Sequence, residues 1–298
     1  MTNKEFVTHA IDELCQTFPL ASARVMATRL LTHFRGLSEY EYLIEPGKKI
    51  PSPELAVLEK ALSELLENRP LQYVLGTAEF CGHEFKVDER VLIPRPETEQ
   101  LVRIIVEDSN VMGCSDPKIL DACTGSGCIA LSLAAALPKA QVLACDISED
   151  ALDLAASQEI FLDEGRHQRL SNIPEWFVWD VLTEPEPSLP NMSELDVFVS
   201  NPPYICESEK DFMEDNVLLY EPGLALFVPD NDPLRFYRAL GLRAAELLRL
   251  GGKGYFEINE RYPNEVCALL EEQGFSEVCA HEDYHGKSRF VSFVKYFM

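Results

Sequence analysis

Lys118-Ile119-Leu120-Asp121-Ala122-Cys123-Thr124-Gly125-Ser126-Gly127, followed at once by Cys128-Ile129-Ala130-Leu131-Ser132-Leu133 and on to Leu137, decides the fold. The short apolar run from Lys118 predicts a strand, and the apolar run 129–137 predicts a helix directly behind a glycine loop. Glycines there let the backbone turn sharply and approach a ligand with no Cβ in the way. The helix start offers unpaired N–H groups to negative atoms. Gln141–Cys145 reads as the next strand, closed by Asp146 about 20 residues after the loop, where a carboxylate can accept from both hydroxyls of a ribose. A nucleoside-containing cofactor at the carboxyl edge of a sheet follows. The loop alone leaves three readings open. It suits adenosylmethionine. Gly125-Ser126-Gly127-Cys128-Ile129-Ala130 also fits the dinucleotide pattern G-x-G-x-x-A of nicotinamide and flavin proteins. It could also be an ordinary tight turn. Asp121 tips the balance, because an acid beside the loop suits a cationic amino acid tail better than a pyrophosphate.

Working outward, strand and helix alternate. A helix is expected near 149–159, strands at 175–179 and 195–200, a helix over 234–250 stopped by Gly251-Gly252, and a strand at 253–258. An antiparallel pair at 276–280 and 289–296 ends the chain. Repeated βα units predict an α/β fold with a mostly parallel sheet covered on both faces. Upstream, residues 1–70 read as a small bundle of amphipathic helices. Phe6, Ile11 and Leu14 share one face, a second run spans 21–34 and stops at Gly36, and a third follows Ser52-Pro53, with Ser52 as the expected cap. Residues 71–92, with Tyr73-Val74-Leu75, Gly76, Gly82 and Glu84–Val87, suggest a β-hairpin linker. A catalytic domain over 93–298 would begin with Ile93-Pro94-Arg95-Pro96-Glu97-Thr98-Glu99, extended at its prolines, and a helix starting near Glu97. Residues 184–190 form a proline-rich loop.

Strand 195–200 runs into Asn201-Pro202-Pro203-Tyr204, the most informative stretch in the chain. Two prolines fix their φ angles and donate no N–H. The loop carbonyls and the Asn201 side chain are left as acceptors, and Tyr204 adds a flat wall. Such a site suits a planar –NH2 group held by both hydrogens, its lone pair facing an electrophile. Methyl transfer to an amide or amino nitrogen fits, because accepting both N–H bonds stabilises positive charge developing on nitrogen.

Composition bounds the partners. The 298 residues carry 26 Lys+Arg against 50 Asp+Glu, a formal charge of −24, with 46% hydrophobic residues. That is globular rather than disordered. No apolar run is long enough to predict a membrane span, and the start lacks the pattern of a signal peptide. Nine cysteines without a C-x-x-C pair suit a reduced, cytoplasmic protein. The acidity argues against tight binding to a phosphate backbone.

The chain resembles the HemK/PrmC family, the N5-glutamine methyltransferases of peptide-chain release factors. Pro70-Leu71-Gln72-Tyr73 with Gly76, the 93–99 stretch, Asp121–Gly127, Asp146-Ile147-Ser148 and Val199–Ile205 carry the likeness. Glu221-Pro222, Ala225-Leu226, Phe256-Glu257-Ile258, Asp283-Tyr284, Gly286 and Arg289 complete it. The resemblance implies a class I methyltransferase-like, Rossmann-type domain behind a helical domain that docks the substrate. It implies adenosylmethionine along Asp121 and Cys123–Gly127, with Asp146 on its ribose and Asp180 and Val181 beside the adenine. Asn201 would touch both cofactor and substrate. Catalysis would rest on Asn201, Pro202 and Tyr204, with Pro203 completing the frame around the glutamine of the release factor's Gly-Gly-Gln loop.

Three positions depart from the family pattern. Cys123 stands where glycine is usual, Val181 replaces an aromatic found in some members, and Asn259 replaces a glycine. The tetrad is shared with adenine-N6 methyltransferases, so nucleic acid is the alternative substrate; a non-catalytic cofactor-binding docking protein is the second alternative. Arg95, Glu97 and Glu99 read equally as catalytic groups or as a salt-bridged helix start. His281-Glu282-Asp283-Tyr284-His285 matches the zinc-protease string, but lies between strand-like segments, so no metal is expected.

Overall fold

The computed structural model describes residues 1–111, 115–160, 169–183 and 192–296; the 184–190 loop thus lies outside the described residues. The chain forms two units, Met1–Thr77 with Glu214–Tyr220, and Ala78–Met213 with Glu221–Met298.

The first unit is helical: α1 (Asn3–Leu14), α2 (Leu20–Arg35), α3 (Glu39–Ile44), α4 (Ser52–Leu66) and α5 (Leu71–Leu75). A capping box opens α1, the Thr2 side chain accepting from Glu5 N and Glu5 accepting from Thr2 N. Gly36, at φ +58°, ends α2 in the left-handed conformation glycine tolerates best. Phe6, Ala10 and Leu14 pack with Ala27, Leu30 and Leu31 and with Leu58, Leu62 and Leu65, at the three- and four-residue spacing of buried helix faces. Two details differ from the sequence expectation. Pro51, not Ser52, holds the cap position of α4, and Pro53 lies in its first turn. Tyr73-Val74-Leu75 is helical, not a strand; three consecutive buried apolar residues suit either state, and Gly76 at φ +74° closes the turn. Tyr220 Oη donates to the Glu67 carbonyl within this unit.

The second unit begins inside the hairpin of β1 (Thr77–Phe80) and β2 (His83–Lys86), joined by Cys81-Gly82 at φ +49° and +76°, the signs a two-residue hairpin turn requires. Then come α6 (Thr98–Val111), β3 (Lys118–Ala122), α7 (Cys128–Ala136), β4 (Gln141–Asp146), α8 (Glu149–Ala156), β5 (Glu175–Val178) and β6 (Leu195–Ser200). Short β7 (Ile205–Cys206) and β8 (Phe227–Val228) flank α9 (Asp215–Tyr220), the segment that belongs to the helical unit. The chain closes with α10 (Arg235–Leu247), β9 (Leu248–Glu257), α11 (Pro263–Glu272), β10 (Ser276–Glu282) and β11 (Ser288–Val294).

Seven strands form one sheet in the order β10-β11-β9-β6-β3-β4-β5. The five from β9 to β5 are parallel, and β11 and β10 are antiparallel. Its two faces feed separate cores. Ile119, Val197 and Val199 point into one and Leu120 and Phe198 into the other, as the period of two demands. This is the class I methyltransferase-like α/β fold that the sequence predicts. The predicted helix over 234–250 stops at Leu247, and Leu248–Leu250 already belong to β9. Gly251-Gly252 therefore marks a bulge, not a helix stop: the pairing with β6 jumps from Leu195–Leu248 to Val197–Lys253, with Gly251 at φ +77°. The zinc-protease string starts in β10 and runs into the turn at Gly286, with no helix to put both histidines on one face.

Candidate functional site

Chain order reverses between β3 and β6: β4 and β5 extend the sheet on one side, β9 on the other. Ligands of doubly wound sheets bind at the carboxyl ends of strands at such a switch point. A cavity of about 1140 Å³, mouth included, opens there. Cys123, Thr124, Gly125, Ser126, Asp146, Asp180, Val181, Asn201 and Pro203 line it. Asp121, Gly127, Pro202 and Tyr204 do not.

The glycine loop is held by its own neighbourhood. Asp121 is fully buried; its Oδ2 accepts from Thr124 Oγ1 at 2.6 Å and from Ala130 N at 3.1 Å. Its Oδ1 has no hydrogen-bond partner among the described residues. Burial pushes the Asp121 carboxyl up to about 7, against the two donors. Asp146 Oδ2 accepts from Gly125 N at 2.9 Å and Oδ1 from Ser148 N at 3.0 Å, which aims the carboxylate at the cavity. Its acid strength is also lowered by burial, these donors opposing. Gly125, at φ +54°, faces open space, since a Cβ there would meet nothing within 4 Å. At Gly127, φ +79°, a Cβ would lie 2.8 Å from Trp176 Cη2, so this glycine serves close packing of helix on strand.

The tetrad loop is held from afar. Thr98 Oγ1 donates to Glu257 Oε2 at 2.7 Å, and Tyr204 Oη donates to Glu257 Oε1 at 3.1 Å. Asn201 Nδ2 donates to Thr98 Oγ1 at 3.4 Å. Glu257 and Thr98 are both buried. Burial raises the pKa of Glu257, opposed by the two hydroxyls and the charge of Arg289. Asn259 Nδ2 donates to the Tyr204 carbonyl at 3.0 Å, so this departure from the family pattern braces the loop. Tyr204 is thus an anchor behind the cavity rather than the flat wall expected from sequence; its hydroxyl is drawn to Glu257.

The 93–99 stretch builds one rim. Glu221 accepts from Ile93 N at 3.2 Å and from Arg95 Nη2 at 2.7 Å, while Glu99 Oε1 accepts from Cys81 N at 3.1 Å in the hairpin turn. Glu99 therefore braces the backbone of the hairpin turn, while Arg95, paired with the buried Glu221 carboxylate, also lines the cavity. Sequence reasoning passed over Thr98, Glu221 and Glu257 as site residues. The available signal was an acid inside the apolar strand run Tyr255–Ile258, which demands buried partners.

The residues present fit adenosylmethionine. Gly125 leaves room, Asp146 offers a carboxylate edge, and Ile147, Val181 and Leu182 give an apolar wall, while Asp121 lies behind that wall and braces the loop through Thr124 and Ala130. Among the described residues no cluster of His, Cys, Asp and Glu could hold a metal, and no helix is long and apolar enough to cross a membrane.

Comparison with known proteins agrees. Residues 5–76 match the family model of the PrmC N-terminal domain. The release factor glutamine methyltransferase of Bacteroides thetaiotaomicron is 45% identical over 235 residues, 79% of this chain and 79% of that protein. That of Flavobacterium psychrophilum is 37% identical over 292 residues, 98% of each. A solved structure, the release factor-specific protein-(glutamine-N5) methyltransferase of Alicyclobacillus acidocaldarius, is 25% identical, covers 72% of this chain and 100% of its own, and has a TM-score of 0.39. With such identity extending over nearly all of both chains, this protein belongs to the release factor glutamine methyltransferase family.

Proposed function

We propose that this enzyme transfers a methyl group from S-adenosyl-L-methionine to the side-chain amide nitrogen of the glutamine in the Gly-Gly-Gln loop of peptide-chain release factors, in the cytoplasm. Its helical unit is assigned to docking that protein. One observation supports the reading above the others: the glycine loop, Asp146 and Asn201 line a single cavity at the switch point of the sheet.

When bound, the cofactor supplies a methyl group already activated by its sulfonium. This chain's residues position and stabilise. Thr124–Gly127 hold the amino acid tail, with buried Asp121 bracing that loop from behind, Asp146 holds the ribose, and Asp180 and Val181 hold the base. Asn201 Oδ1 and a loop carbonyl accept the two N–H bonds of the substrate amide. An amide nitrogen is a poor nucleophile, and these acceptors raise its electron density and stabilise the positive charge that grows on it. Pro202 and Pro203 keep the loop rigid, so little is spent on ordering it at the moment of reaction.

A transfer assay with labelled adenosylmethionine tests this. Intact release factor, its Gln→Ala loop variant, and mixed RNA and DNA are offered in parallel. Label in the intact factor and not in the variant is expected. Label in nucleic acid alone would overturn the reading in favour of adenine methylation, which the charge of −24 opposes.

A further inference from the structure

We propose that Glu257, acting through Thr98, fixes which end of the Asn201 carboxamide faces the cavity, and thereby makes the site select a carboxamide over a carboxylate. The inference rests on the reading that the substrate is a glutamine side chain.

A carboxamide has one accepting end and one donating end of nearly equal size, so shape alone does not orient it. Glu257 accepts two hydroxyls, one on each oxygen, from Thr98 and Tyr204. With a hydroxyl donor on each oxygen, Glu257 is the acceptor in both bonds. The one hydroxyl hydrogen of Thr98 is therefore committed to Glu257, and its oxygen meets Asn201 with lone pairs only. Only the –NH2 end of Asn201 satisfies it, in the 3.4 Å contact. Asn201 Oδ1 is then turned away from Thr98, as an acceptor for the ligand. The chain is polar from end to end, and burial of Thr98 and Glu257 keeps water from substituting for either link. A glutamine offers two N–H groups to that oxygen. A glutamate carboxylate offers none and brings its own lone pairs against it. Thr98 and Glu257 are thus positioning residues for specificity: Glu257 acts only through Thr98, and Thr98 through Asn201.

The test is calorimetric, on the full chain, with the intact release factor and with its loop Gln→Glu variant as the two ligands. Wild type is expected to bind the Gln form about tenfold or more tightly than the Glu form, the scale of one unsatisfied buried group. Thr98→Val fills the same space without a hydroxyl and frees Asn201 to turn over, so the ratio should fall to within about threefold. Thr98→Ser restores the hydroxyl and should restore the ratio. Glu257→Gln, whose side chain can donate to Thr98 and reverse the relay, should narrow it as Thr98→Val does. Cofactor affinity, measured alongside, should stay near wild type in all three. A Thr98→Val protein with the wild-type ratio, or a Thr98→Ser protein that loses it equally, overturns the relay while methylation of the wild-type substrate leaves the functional reading standing. A wild type that neither methylates the glutamine nor prefers it overturns both.

Discussion

The two loops that meet at the cavity are built in opposite ways. The glycine loop is tied by bonds of short reach: Thr124 to Asp121, three residues apart, Ala130 to Asp121, nine apart, and Gly125 to Asp146, 21 apart. The Asn201 loop is tied to Thr98, 103 residues away, to Glu257 at 53 and to Asn259 at 55. The first is a local fold of backbone that brings its own shape. The second is a proline-stiffened loop whose two polar side chains, Asn201 and Tyr204, take their orientation from distant elements. A substitution in the first should therefore be felt as packing or cofactor affinity, and one in the second as rate or selectivity.

Asn201 bears most directly on this division. Asn201→Ala removes the acceptor proposed for the substrate amide and should lower kcat by about 100- to 1000-fold, or roughly 3–4 kcal/mol, the scale of deleting one hydrogen-bonding group that acts on the transition state. Cofactor affinity should fall much less, and the fold should be unaffected, because Asn201 is only part-buried and follows the strand. Rate loss that merely tracked cofactor affinity would put Asn201 in the cofactor half of the site and dissolve the division.

Next come the two glycines of the first loop, which separate packing from binding within three residues. In Gly127→Ala the new methyl meets Trp176 at 2.8 Å and Ala155 at 3.1 Å, at φ +79°. Overpacking of this kind costs about 1–3 kcal/mol, with left-handed strain added, and thermal unfolding should report it. In Gly125→Ala the strain at φ +54° remains but the methyl enters the open cavity. There the main loss should be cofactor affinity by calorimetry, with a melting temperature nearer wild type. A Gly125→Ala protein with unchanged cofactor affinity would mean that the cavity is not where the cofactor binds.

Asp121 gives a pH-dependent effect of middle size. Burial holds its carboxyl up to about 7 against an ordinary 3.8. Below about pH 4 the group is protonated in folded and unfolded chains alike. As pH rises towards 7 the unfolded carboxyl ionises while the buried one keeps its proton, so stability falls across that window and the penalty is complete above it. Asp121→Asn should therefore be more stable than wild type near pH 8, and lose that advantage towards pH 4, in denaturant titrations. Cofactor binding should run the other way. Asp121 lies behind the cavity wall, so a cationic tail favours its ionised form through space rather than by contact; wild-type affinity should fall by less than about tenfold per pH unit below 7, and Asp121→Asn should show a flatter profile. Asp146 also titrates upward from its ordinary value and its charge helps to raise Asp121, so the difference between the profiles reports Asp121 together with its coupling to Asp146.

How far the sequence could be read follows the same division. The sheet, the glycine loop, the strand ends at Asp146 and Ser200 and the tetrad all stand at spacings set by local rules of period, turn and cap, and were legible as such. Tyr73–Leu75 and Leu248–Leu250 were not, because short apolar runs suit helix and strand equally until the neighbours that bury them are known. Tyr204 could be recognised as part of the site but not given its place, since Glu257 draws its hydroxyl from a strand ending 53 residues later. Thr98 hid inside the 93–99 stretch behind three charged neighbours. A hydroxyl looks neutral in sequence, and only the structure sets it between Asn201 and a buried acid.

Cys123 stands in the left-handed region at φ +61° where glycine is usual in the family. Holding an L-residue there costs roughly 1–2 kcal/mol. Glycine would relieve that strain, but it gives the unfolded chain about 0.5–1 kcal/mol more conformational freedom. It also removes a part-buried side chain packed against the core beneath the loop. These terms nearly cancel, so Cys123→Gly should change stability by no more than about 0.5 kcal/mol. Its effect should be in binding. Burial and the nearby carboxylates Asp146, Asp121 and Asp180 push the thiol pKa well up, so it is a neutral side chain on the cavity wall, with no charge to offer a cation. Removing it widens the approach to the amino acid end of the ligand, and adenosylmethionine affinity should rise a few-fold by calorimetry. An affinity that fell instead would mean that the thiol packs against the ligand, and that the glycine loop of this chain is adapted to a side chain rather than merely tolerating one.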